Sequence, residues 1–310
     1  MDHHIGFAFS VEQISYAVFE SPDMVLCAAG ITAYPFDYEE GRFLQQEARI
    51  SLTSVLKNIL DEQKLSPKSI SFSIESNLVV LKRIVYPENL EESGITDHIS
   101  WHIAESLNLP MNEYALVRSD NIIVREGLKE ELVISIQKKL IRFFREIADA
   151  LEIPLRNLTV HHLSAELALN SALADQAEKL MILFKIAHSR YESSFFLNGR
   201  YYKSHYERLP ARNSSSEYET NLIQMVKQEA AYIENQFLTG DQEQILVDRI
   251  LIYGPGLNES FLSMIQKNMS IPVDRFNPLQ NIVISESLQS VLTDEIASEY
   301  VECVGVSLDQ

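Results

Sequence analysis

The segment Arg249 to Phe261, RILIYGPGLNESF, is an apolar run that breaks at Gly254-Pro255-Gly256 and resumes as a polar helix start at Asn258. Strands that end this way bring backbone N–H groups and a helix N-terminus to one spot, the arrangement on which many α/β folds hold a nucleotide. The pattern therefore predicts an α/β fold with a cleft at Gly254 and Gly256. What else the chain brings to that cleft decides whether anything binds there.

The chain has 310 residues, which suits two cores better than one. Its 46% hydrophobic content supports substantial interiors, and its formal net charge of −18 would repel a phosphate backbone, which excludes nucleic acid as an expected partner. The two cysteines, Cys27 and Cys303, lie in apolar surroundings without metal-ligand spacing, as expected of buried free thiols in a reducing cytoplasm. No stretch reaches the roughly 18 apolar residues of a membrane helix. The expected location is cytoplasmic, or peripheral where it meets a membrane, without insertion.

Alternation of aromatic and β-branched residues predicts a hairpin over 5–20 turning at Ser10 to Gln13, a further strand over 24–35, and a second hairpin beginning at Leu180 with Asn198-Gly199 as a two-residue turn. Helical spacing predicts helices over 47–63, 95–107, 131–151, 165–180 and 218–238, then 258–269 after the opening strand and 291–308 at the end. Strands are expected at 69–87 (two, around Glu75 to Asn77), 114–119, 121–127, 158–163 and 271–276, and polar loops at 211–217 and 241–244. Hairpin, helix, strand, helix thus occurs twice.

That order, with LKRIVYP (81–87), ITDHISWHIAESLNLPMNEYAL (95–116), VREGLKEELV (124–133), Asn277-Pro278 and the terminal VGVSL (304–308), resembles the PilM-like family of type IV pilus assembly, actin-like proteins related to FtsA. The resemblance implies a two-domain α/β actin-like fold, duplicated and RNase H-like, with a small inserted subdomain. The implied organisation is 1–165 for the first domain with the insert near 70–150, 166–285 for the second, and a C-terminal helix over 286–310 returning to the first.

Active members of the superfamily hold ATP between the domains with two Asp-x-Gly hairpins and a glycine turn. Here GFAFS (6–10) puts Ala8 at the first acid and Ser10 at its glycine, and Ser15 stands for a phosphate-binding lysine. In FKIAH (184–188), Lys185 replaces the second acid and Ala187 the glycine. Those acids orient Mg²⁺ and the attacking water, so hydrolysis has little else to use. Only Gly254 and Gly256 remain, and Pro255 removes a donor.

The resemblance therefore implies a non-catalytic scaffold with a residual cleft at Ser10, Lys185, Gly254 and Gly256 and no cofactor. Its expected partner is a protein, the cytoplasmic tail of an inner-membrane pilus or secretion component, docking beside the insert where Arg83 and Trp101 mark the matching motif. The alternative is an actin-like ATPase or sugar-kinase relative in which Lys185 holds a phosphate of ATP as a point charge. A single Trp on an amphipathic helix is most often a core residue.

No other chemistry is indicated. His3-His4 and His161-His162 are adjacent pairs, which on strands point to opposite faces, and His98 and His102 fall one helical turn apart on an exposed helix. No G-x-S-x-G, GK[ST] or H-E-x-x-H is present. The aromatics of FFLNGRYYKSHY (195–206) read as cross-strand packing pairs.

Overall fold

The computed structural model describes residues 2–36, 44–173, 179–187, 190–208, 215–237 and 245–308. The loops expected at 211–217 and 241–244 lie largely or wholly outside them, as does His188.

The first sheet contains β1 (Asp2–Phe9), β2 (Ile14–Ser21), β3 (Val25–Thr32), β4 (Ser69–Ile74) and β8 (Leu155–Val160), in the order β3-β2-β1-β4-β8. The second contains β9 (Leu180–Ile186), β10 (Arg190–Leu197), β11 (Arg200–Arg208), β12 (Val247–Tyr253) and β13 (Val273–Arg275), in the order β11-β10-β9-β12-β13. Strand order and sense match: each opens with an antiparallel meander and continues with parallel strands on the other side of its first strand. The chain is thus one architecture used twice.

Local chemistry accounts for both hairpins. Ser10 closes the first turn by donating from its hydroxyl to the Gln13 carbonyl at 3.0 Å while accepting from the Gln13 N–H at 3.1 Å. Asn198 and Gly199 take φ of 54° and 72°, the left-handed pair that a two-residue hairpin turn requires.

β1 is buried on both faces, which is why IGFAF reads as a nearly continuous apolar run. Ile5, Phe7 and Phe9 pack against α1 (Gln46–Glu62) and α3 (Lys138–Ala150), while Ala8 faces Cys303 and Val304 of the last helix, α9 (Val301–Leu308). A Cβ at Gly6 would stand 2.8 Å from the Cys303 carbonyl oxygen, so glycine here is what lets α9 lie against the strand. In the second half Leu180, Ile182, Phe184 and Ile186 face α5 (Ser215–Gln236) and α6 (Glu259–Asn268). The alternate residues Met181 and Leu183 face α4 (His161–Ala172) and the first half, and Lys185 continues that face.

Between β4 and β8 runs an insert: β5 (Val79–Pro87), α2 (Glu92–Ala104), β6 (Tyr114–Arg125) and β7 (Leu128–Gln137), an antiparallel sheet in the order β5-β7-β6. α2 covers one face through Ile95, Ile99 and Ile103 against Ile84, Tyr86 and Val133. The third sheet and its helix thus span 79–137. Residues 70–74 and 138–150, expected with the insert, instead belong to the first sheet and its core.

Other expectations shift in the same way. Residues 131–137 form a strand rather than the start of a helix, because β5 and β6 pair with them on both sides and their alternation then outweighs their helical spacing. The two segments at 114–127 form one strand with an irregularity between Arg118 and Ile122. α4 begins at His161, so both histidines of that pair lie on a helix and not on a strand. The tail is two short turns, α7 (Glu286–Gln289) and α8 (Asp294–Ala297), before α9, which is the part that packs on the first half.

His4 of β1 is 5% exposed and shares a 2.7 Å hydrogen bond with the Ser69 hydroxyl at the start of β4. Burial, assisted by the Arg156 charge, lowers its pKa from 6.5 to about 4. Because the folded pKa lies below the unfolded one, this contribution is complete above pH 6.5 and is lost as the pH falls towards 4. Each pKa unit is worth about 1.4 kcal/mol, so the loss from this site approaches ~3 kcal/mol. Urea midpoints should fall more steeply for the wild type than for His4→Gln across that window; parallel curves would refute the assignment.

Candidate functional site

The two halves face each other across a cleft built from the hairpin turn after β1, Glu75 after β4, the start of α4, the ends of β9 and β12, and α9 with the turn before it. Three of the four residues expected at the residual nucleotide site, Ser10, Lys185 and Gly254, line this cleft, and Gly256 lies just outside it in the same turn. Of the four, three are engaged within the protein: Ser10 in its own turn, Lys185 with Glu302, and the Gly256 N–H with the Ile186 carbonyl. Gly254 has φ of 105°, and a Cβ there would meet the Ile186 carbonyl oxygen at 2.6 Å. The Gly256 N–H donates to that same carbonyl at 2.9 Å. The glycine turn therefore folds down onto the end of β9.

Charged side chains occupy the rest. Lys185 Nζ donates to Glu302 Oε1 at 2.6 Å, and the Tyr253 hydroxyl donates to the same oxygen at 3.2 Å. Arg190 pairs with Glu75, whose other oxygen accepts from the Val11 N–H at 2.9 Å. His162 Nε2 lies 2.9 Å from Glu192 Oε1, and its ring also meets the Ser194 and Ser204 hydroxyls, each at 2.8 Å. The pocket enclosed by Ser10, Glu75, Lys185, Arg190 and Glu302 is about 20 Å³, room for about one water molecule, and a wider groove of about 610 Å³ opens beside it, where Glu75, His162, Arg190 and Glu192 also line the wall.

Burial dominates the electrostatics of these groups, and their neighbours set the outcome. Burial pulls Lys185 down, but Glu302, Glu75 and Glu192 outweigh it and leave its pKa raised. Burial would likewise raise Glu192, and His162, Lys185 and Arg190 overcome it, holding the carboxyl well below its usual range. At Glu75 burial prevails over Lys185 and Arg190, and the pKa is raised. His161 is 2% exposed, with both ring nitrogens lacking a protein partner among the described residues, and burial followed by the Lys185 charge keeps it neutral.

Sequence reading singled out Lys185 but missed Glu75, Arg190, Glu192 and Glu302. A signal was present: a lysine in LMILFKI and a glutamate in VECVGVSL each require a buried partner of opposite charge, since an unpaired buried ion is too costly to keep. Which one pairs with which follows only from the fold.

Arg83 and Trp101 do not converge. Arg83 ties the insert to β11: its Nε donates to the Tyr202 carbonyl at 2.8 Å, and its Nη2 donates to the Tyr201 carbonyl at 2.5 Å and to Asn121 Oδ1 at 2.9 Å. It lines a groove of about 610 Å³ between β5 and β11. Trp101 lies on α2 and is 61% exposed, with its ring against His102, so the expected core position is corrected: the buried stripe of α2 is Ile95, Ile99 and Ile103, and Trp101 falls outside it. His98 and His102 meet edge to face with ring centroids 4.4 Å apart, but one His98 nitrogen sits 3.0 Å from the Val85 carbonyl, and no group of three or more metal-ligating side chains occurs among the described residues. The edge strand β6 exposes Leu116, Val117, Ile122 and Val124.

Two halves of one strand order across a cleft, with an inserted sheet in the first, define the duplicated actin-like ATPase fold. A solved structure agrees. The protein is similar to a chain of the PilM-PilN type IV pilus biogenesis complex over 98% of its own length and 97% of that chain, with a TM-score of 0.79 and 12% identity. It is also similar to a Bacteroides thetaiotaomicron protein with an actin-like ATPase fold (TM-score 0.47, 14% identity, 89% of this chain and 91% of that one). A third is the cytoplasmic domain of EpsL, an inner membrane component of the Vibrio cholerae type II secretion system (TM-score 0.48, 9% identity, 90% and 98%). No protein-family model and no curated protein matches the sequence. At these identities the likeness is one of fold, and at that level it upholds the PilM-like resemblance read from the sequence. Among the described residues no helix is long and apolar enough to cross a membrane.

Proposed function

We propose that this protein is a PilM-like, non-catalytic scaffold that binds the cytoplasmic tail of a membrane protein in an extended conformation along β6, beside the insert. The observation that carries the reading is the outer edge of β6, where four apolar side chains are exposed on a strand with one unpaired side. Long apolar edges are usually blunted in proteins that have no use for them, and strand addition is the common way to use one. The similar chain was solved in a complex called PilM-PilN, which supports a protein partner. A chain of net charge −18 favours a tail with basic residues between its apolar anchors. The ion pairs that fill the cleft support the absence of nucleotide chemistry.

The test is calorimetric titration with synthetic tail peptides of the membrane proteins encoded beside its gene, and with Mg-ATP. One peptide is expected to bind, with affinity reduced at least about tenfold in Ile122→Glu/Val124→Glu, equivalent to about 1.4 kcal/mol, while ATP gives no heat. Equal binding by the variant would overturn the β6 site, and saturable ATP binding would restore the actin-like ATPase reading.

A further inference from the structure

We infer that the cleft is clasped shut by the chain's own ion pairs, which join the two halves where a ligand between domains would otherwise bridge them. The three close acid–base pairs here link one half to the other, while His161 stands 3.9 Å from Glu75 within the first half. Glu75, His162 and Glu302 come from the first sheet's end, α4 and α9, and their partners Arg190, Glu192 and Lys185 come from β9 and β10. Tyr253 at the end of β12 adds a hydrogen bond to Glu302.

The contact between the halves is divided by chemistry. At its base Ala165, Ala168, Leu169 and Ala172 of α4 pack against Met181, Leu183 and Phe196, an apolar seam that tolerates small sliding. At its mouth the contact is ionic. Apolar packing is non-directional, whereas a buried ion pair is either made or leaves an uncompensated charge, so the mouth has two discrete states. Lys185 is 7% exposed and Glu302 4%, so separating them without letting water in would strand both. The clasp also fixes the hairpin turn, because Val11 is held through the Glu75 oxygen that leaves the carboxylate's other oxygen to Arg190. This inference is independent of the β6 reading: loss of the clasp leaves that edge intact.

Hydrogen exchange and small-angle X-ray scattering on the full chain test it in Glu302→Gln and Lys185→Met. Glu302→Gln is nearly isosteric and keeps an acceptor for Tyr253, so it serves if Lys185→Met does not fold. In Glu302→Gln, amides of Val11 to Ser15 and of Gly256 and Leu257 should exchange at least about tenfold faster while β1 and β9 keep their protection, and the radius of gyration should rise. A folded Glu302→Gln with wild-type exchange at the mouth and unchanged scattering overturns the clasp. Acceleration spread equally over β1 and β9 does so too, since it would mean general destabilisation.

Discussion

Gly305→Ala is expected to destabilise the protein by ~3 kcal/mol or more, at the upper end of what overpacking costs, and to lower its melting temperature by roughly 5–10 °C. Gly305 lies in α9 where it crosses the first turn of α4. A Cβ there would overlap the Ser164 carbonyl oxygen and stand 2.6 Å from the carbonyl carbon. Both obstacles are backbone, so no side chain can swing aside. Ser164 is held in turn, since its hydroxyl donates to Ser73 of β4 at 2.7 Å. The helices must part, which loosens the packing of Val304 and Cys303 on Ala8 and Ala17 and draws Glu302 away from Lys185. Differential scanning calorimetry measures this directly. An unchanged melting temperature would mean that the close approach of α9 and α4 is not as described.

Phe72→Ala should cost ~3–5 kcal/mol, the range for removing a large aromatic side chain from a core. Phe72 is fully buried in β4, an interior strand of the first sheet, with ring centroids of Phe144, Phe9 and Phe7 at 5.1, 5.7 and 6.3 Å. These four come from β1, β4 and α3, so no single element can close the cavity by moving. A urea titration should show a lower midpoint with the slope unchanged. Trp101→Ala is the useful contrast: despite its larger side chain it should stay within about 0.5 kcal/mol of wild type, because the residue is exposed. If the two substitutions had equal effects, the assignment of Phe72 to the core and Trp101 to the surface would fail.

Much of this architecture was legible in advance where local and tertiary forces agree. The hairpin turning at Ser10 to Gln13, the Asn198-Gly199 turn, the helix after Gln45 and the strand running into Gly254 all appear where the pattern put them. The miss at 131–137 has a physical cause. Leu132 and Ile136 suit a helical stripe, but Leu132, Ile134 and Ile136 equally suit a strand, and a pairing partner on each side decided the matter. Likewise His161 and His162 read as strand residues because the apolar run of β8 continues into α4 without a capping residue.

At the cleft, the sequence by itself determined only residue types: Ala8, Lys185 and the Gly254-Pro255-Gly256 turn, which the resemblance aligns with the phosphate hairpins and glycine turn of active relatives. Only the tertiary structure decided which charged groups meet there. Lys185, Arg190 and Glu192 meet Glu302, Glu75 and His162 across sequence separations that no local pattern encodes. The same holds for Arg83, whose strand motif was visible but whose role as a tie to Tyr201 and Tyr202 depends on how the insert leans against β11. Local propensity is set by neighbours along the chain, whereas a buried charge is kept only where the fold delivers its counter-charge within a few ångströms, and that delivery is a property of the assembled sheets.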